Sequence, residues 1–76
     1  PKTRLQQWSQ REESVLPSYE VIGVHGKEDS PIFEVEVKIN DKFPAFSAKD
    51  NTKKGAEVKA ATRMIKFVKD NLHEDI

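Results

Sequence analysis

The sequence predicts an α+β fold of order α-β-β-β-α, a three-stranded antiparallel sheet with both helices packed on one face. Three observations predict it. Phe33, Val35, Val37 and Ile39 alternate strictly with Glu34, Glu36 and Lys38, the pattern of a strand with one buried and one wet face. Ala56, Ala60, Ala61, Met64, Ile65, Val68 and Leu72 recur at helical spacing near the C-terminus. Upstream, Tyr19-Glu-Val-Ile-Gly-Val-His25 is rich in the β-branched and aromatic residues that suit a pleated surface.

The first helix is expected from about Lys2 to Ser14. Pro1 suits a helix start, and Leu5, Trp8 and Val15 give a weak apolar stripe. Pro17 closes the segment and biases Leu16 towards extended geometry. The first strand spans Tyr19–His25, and the polar stretch Gly26-Lys-Glu-Asp-Ser-Pro31 reads as a loop. After the alternating strand Phe33–Ile39, Asn40-Asp41 is a good two-residue hairpin turn. Phe43 to about Lys49 makes a third short strand, which Pro44 marks as an edge. The last helix runs from about Lys53 to Leu72 with Thr52 as its N-cap. The small residues Ala56, Ala60 and Ala61 allow close approach to the sheet. The packing residues expected are Leu5, Trp8, Tyr19, Val21, Phe33, Val35, Val37, Ala56, Ala60, Met64 and Val68.

Seventy-six residues make a single domain, 1–76, with a core at about 2–70 and an acidic tail at 70–76. A chain this short buries only a small core. It has no cysteine, which excludes a disulfide framework or a thiolate metal site and fits a reducing compartment, so a cytoplasmic location is expected. No apolar run is long enough to span a membrane, and no leader reads as a signal peptide. A start at Pro1 without an initiator Met fits a piece excised from a longer chain.

Net charge is zero, but it is unevenly placed. Residues 49–69 hold seven basic residues against Asp50 and Glu57, or +5, whereas residues 26–42 sum to −2 and the tail from Asp70 to −3. A neutral chain with one basic element has a directed field. Catalytic chemistry is not legible. His25 and His73 lie outside any ligand-spaced cluster, serines 9, 14, 18, 30 and 47 lack a base and orienter, and no Gly-rich phosphate loop is present. Glu34 and Glu36 read as a solvated strand face. What remains is the stretch Thr52-Lys-Lys-Gly-Ala-Glu-Val-Lys-Ala-Ala61. Cations at a helix N-terminus oppose the helix dipole. A phosphate backbone docked on the free N–H groups there offsets that cost. Lys53 and Lys54 supply the charge, and Lys49 and Lys59 are expected to extend the patch.

"PKTRLQQW", "LPSYEV", "FEVEV" and "TKKGAEVKAA", in that order over about residues 2–70, resemble the double-stranded RNA-binding domain, in the version found at the C-terminus of bacterial ribonuclease III. The resemblance implies three contact regions. The first helix lies in an RNA minor groove and touches 2′-hydroxyls through Thr3, Gln6 and Gln7. Gln7 stands where ribonuclease III members usually carry Glu, and an amide both donates and accepts. The loop after the first strand carries Asp29, beside Glu28, where the family usually has a histidine, leaving Lys27, Ser30 or backbone groups to serve a second minor groove. The last helix start, with Thr52, Lys53 and Lys54, spans major-groove phosphates. Ala48 and Asp50 replace the family's glycines there, and Lys49 between them restores charge.

Such a domain reads A-form shape over about 16 base pairs. It is expected to bind double-stranded RNA with little sequence preference and to reject DNA and membranes. The resemblance further implies a parent endoribonuclease, homodimeric through an upstream catalytic domain that uses carboxylates with Mg²⁺ on structured precursors such as ribosomal RNA. The segment itself carries no such residues. It is expected to bind without cutting, to hold no cofactor of its own and to be monomeric in isolation. Two alternatives stand beside this one: a protein-docking domain of the same fold, favoured by Glu28-Asp29 and the absent glycines, and a stand-alone RNA-associated protein.

Overall fold

Strand alternation decides how the molecule is layered. In the computed structural model, which describes residues 2–74 and 76, the elements are α1 (Lys2–Glu13), β1 (Ser18–Lys27), β2 (Ser30–Lys38), β3 (Phe46–Asp50) and α2 (Lys53–Leu72). The sheet is antiparallel in the order β1-β2-β3. On β2, Val35 and Val37 are buried under the helices, while Glu34 and Glu36 lie on the opposite, partly open face.

The α2 helix covers β2 and β3. Ala56, Ala60 and Ala61 are fully buried, so the helix backbone comes close to the strands, and Met64, Ile65 and Val68 continue the same stripe. The α1 helix packs on α2, and its Leu5 and Trp8 join the cluster that contains Val37, Ile39 and Val68. Each large aliphatic side chain buried there contributes about 1.5–3 kcal/mol. At one end, Phe43 stands edge-on between Trp8 (5.7 Å) and Phe67 (6.5 Å), and Phe46 tilts against Phe67 at 5.4 Å. Edge-to-face contacts of this kind add to simple area burial. The α1 helix ends at Glu13 because Ser14 turns left-handed at φ 57°, which lets the buried Ser9 hydroxyl donate to Val15 O at 2.6 Å.

Five expectations need correction. The Gly26–Pro31 stretch is not a loop: Gly26 pairs with Pro31 and Lys27 with Ser30, leaving only Glu28-Asp29 as the turn. Backbone pairing is indifferent to the polarity of these side chains, and Gly26, still within the ladder, takes a φ of 87° that glycine adopts readily. Asn40-Asp41 is not a two-residue hairpin. Asn40 Oδ1 accepts from Lys42 N and Asn40 O from Phe43 N, and the chain then carries Phe43 to the core before β3 starts at Phe46. Phe43 and Pro44 therefore precede the strand, although β3 does lie at the sheet edge. Val21 is 39% exposed rather than core, because the ladder bulges between Val21 and Gly23 and α2 covers only the other two strands. Leu72, at the helix end, is exposed as well. The helix-start role of Pro1 and the Asp75 part of the acidic tail lie outside the described residues.

Candidate nucleic-acid interface

The N-terminus of α2 is built by its cap. Thr52 holds extended geometry (φ −131°, ψ 152°) and its Oγ1 accepts from Gly55 N at 2.9 Å. The amides of Lys53 and Lys54 stay unpaired within the helix, as first-turn donors do. Both lysine side chains are exposed. Lys53 Nζ lies 5.9 Å from the centre of the Phe33 ring, a cation–π contact that directs it over the β2 strand.

Two other cations of α2 are less free. Lys59 Nζ donates to Asp50 Oδ1 at 2.8 Å and Arg63 Nη1 donates to Ser47 O at 2.6 Å. The Lys59 hydrogen bond, opposed by desolvation and helped by the Lys59 charge and by Thr52, holds the Asp50 carboxyl below the usual carboxylate range. Lys49 leaves the sheet on the other side. Its neighbour Ala48 is buried under α2, so alternation points Lys49 to the open face, opposite Glu34. The structure thus groups Thr52, Lys53 and Lys54, and does not bring Lys49 onto their face.

On α1, Thr3, Gln6 and Gln7 are all exposed, and their spacing of three and four residues puts them on one side. Gln6 also opens onto a shallow cavity of about 250 Å³ lined by Lys2, Leu16, Pro17 and Tyr19. Lys2 anchors this helix to α2 through Glu57, at 2.6 Å. The Tyr19 hydroxyl is buried without a hydrogen-bond partner among the described residues. Burial, and secondarily the Glu57 charge, pushes its pKa up to about 12. Lys27, Glu28, Asp29 and Ser30 form the exposed tip of the β1–β2 hairpin.

Three exposed surfaces thus stand on three elements: a polar helix face, a hairpin tip and a lysine-bearing helix start. The family described as "double-stranded RNA binding motif" matches residues 1–68. The chain belongs to this family. It is a double-stranded RNA-binding domain. Its relatives include proteins named ribonuclease 3 from Nitrosococcus oceani, 38% identical over 86% of this chain and 28% of the relative. Those from a Wolbachia strain of Drosophila simulans (41%, 90% and 29%) and Ehrlichia ruminantium (42%, 84% and 28%) are similar. The domain therefore spans under a third of the length of these relatives.

Sequence reasoning missed two parts of the domain's charge layout. The first is the use of Asp50, read as an acid in the basic segment and as a replaced glycine, as a partner for Lys59. Gly55 was the available signal: glycine in the third position of a helix is unfavourable, and here the Asp50 carboxylate fills the space beside it. The second is the Lys2–Glu57 link, which has no local sequence signature. Among the described residues no group of three His, Cys, Asp or Glu could hold a metal ion, and no helix is long and apolar enough to cross a membrane.

Proposed function

We propose that this domain recognises an A-form duplex through three surfaces: Thr3, Gln6 and Gln7 in one minor groove, the hairpin tip in the next, and Thr52, Lys53 and Lys54 on the phosphates between. The observation that carries the reading is the α2 start, where a capped, exposed turn presents backbone donors and two ammonium groups together. At the tip, Glu28 and Asp29 oppose phosphate, so Lys27, Ser30 and backbone groups make the contact. Lys49, on the open sheet face, acts at most at long range. Recognition by shape and 2′-hydroxyl contact favours RNA over DNA.

The relatives' name supports placing this domain in a ribonuclease III, where it would hold structured RNA for a catalytic part that acts with Mg²⁺ as a homodimer in the cytoplasm. The domain itself binds and does not cut. Amide chemical-shift mapping with a duplex RNA tests the interface. Shifts are expected at residues 3–7, 27–30 and 52–55. Shifts confined to the open sheet face around Glu34 and Glu36 would overturn it.

A further inference from the structure

Asp50 ends β3 and faces the first turn of α2. Its Oδ1 accepts from Lys59 Nζ at 2.8 Å, and its Oδ2 accepts from Thr52 Oγ1 at 3.3 Å. A Cβ built on Gly55 would stand 1.8 Å from that Oδ2 and 2.7 Å from Cγ. The carboxylate thus occupies the volume that any side chain at position 55 would need. It is packed against the turn that carries Lys53 and Lys54, and it is fixed from two sides, by a hydroxyl and by an ammonium.

A fixed negative charge there has two consequences for an approaching phosphate. It stands beside the donors and lysines that the phosphate would use. It also takes up Lys59, the next cation along α2, in an internal ion pair. The contact is close, at 2.8 Å, but Lys59 is 59% and Asp50 22% exposed, so solvent screens it, and Lys59 exchanges one anionic partner for another when it reaches a phosphate.

We propose that Asp50 is a built-in substitute for an RNA phosphate: it withholds Lys59 from the duplex and keeps the affinity of the lysine-bearing helix start below what its charges allow. The proposal rests on the reading of that helix start as the phosphate-docking surface. Asp50 is here an affinity-setting residue, acting through Lys59 and through its own charge. It makes no contact with RNA. Gly55 is its structural counterpart, because only a residue without a side chain leaves the carboxylate its place.

The test is a salt series of dissociation constants for one RNA duplex, measured for the unaltered domain, Asp50→Asn, Lys59→Ala and the double variant, with each fold checked by the fluorescence of the single tryptophan, Trp8. Asp50→Asn is expected to bind about three- to tenfold tighter and to steepen the log–log salt slope by about 0.9, the signature of one added phosphate contact. Adding Lys59→Ala to Asp50→Asn is expected to return the slope to its starting value. Gly55→Ala, whose methyl displaces Oδ2, should shift affinity in the same direction as Asp50→Asn. Unchanged or weaker binding by Asp50→Asn, or a steeper slope that survives loss of Lys59, overturns the proposal while leaving duplex recognition intact. Absence of duplex binding by all the proteins overturns the docking reading itself, and the Asp50 proposal with it.

Discussion

Lys2 Nζ lies 2.6 Å from Glu57 Oε1, a bridge between the first turn of α1 and the second turn of α2. The two helices carry different parts of the interface, so this pair helps to fix their spacing. Both side chains are partly exposed, 39% and 28%, which keeps the pair's contribution small, about 0.5 kcal/mol after solvent screening. Lys2→Met is expected to lower stability by roughly that amount, about 0.5–1 kcal/mol once the Tyr19 ring contact at 4.8 Å is included. Urea unfolding followed by Trp8 fluorescence checks this, and a loss above about 2 kcal/mol would show a larger role than a screened pair can supply.

The alkaline limb of stability should report Tyr19. Folding raises its pKa from 10.0 to about 12, so the fold favours the neutral phenol. That contribution is fully present below pH 10, the unfolded value, and is lost as pH rises towards about 12. Tyr19 is the chain's single tyrosine, so phenolate absorbance follows it without overlap. Titration is expected to be delayed into the unfolding transition. A simple titration centred near the unfolded value in a still-folded protein would contradict the assigned burial.

Phe43→Ala should be among the more damaging single changes outside the sheet. The ring is held edge-on by Trp8 and Phe67, and removing a partly buried phenyl of this kind costs about 2–3 kcal/mol. Thermal unfolding checks it, together with a red shift of Trp8 emission as water reaches the indole. An unchanged unfolding midpoint would mean that the seven-residue connection from Ile39 to Ala45 does not close the core.

The bounds of α2 were legible because Thr52 is a strong cap and the alanine stripe has one period from end to end. The alternation of β2 fixed its buried face just as directly. Less was legible where a partner outside the segment decides. Asn40-Asp41 has the composition of a tight hairpin, but Phe43 is drawn to Trp8 and Phe67, which no local pattern reveals. Gly26–Pro31 looks like a loop because its side chains are polar, yet its backbone completes a ladder. At the site, Thr3, Gln6 and Gln7 were named through the family resemblance and Lys53 and Lys54 from their place at the helix start, and all five are exposed. The direction of Lys49 depends on the parity of a strand set by the burial of Ala48, and the Asp50–Lys59 pair crosses from strand end to helix, so neither could be read from spacing.

Replacing Lys53 and Lys54 together with Ala should weaken duplex binding about tenfold or more and flatten the salt slope by about two contacts. The fold should survive, because both side chains are exposed. The loss should be similar for duplexes of unrelated sequence, since these groups address phosphates. A loss confined to one sequence would contradict that role.

The most direct test of the account compares three probes by fluorescence anisotropy at two salt concentrations. They are an RNA duplex longer than about 16 base pairs, a DNA duplex of equal length, and the single RNA strand. The account predicts salt-sensitive binding to the RNA duplex and far weaker binding to the other two. Equal binding to RNA and DNA duplexes would show charge attraction without shape recognition, and binding to none of the three would contradict the assignment of duplex RNA as the domain's partner.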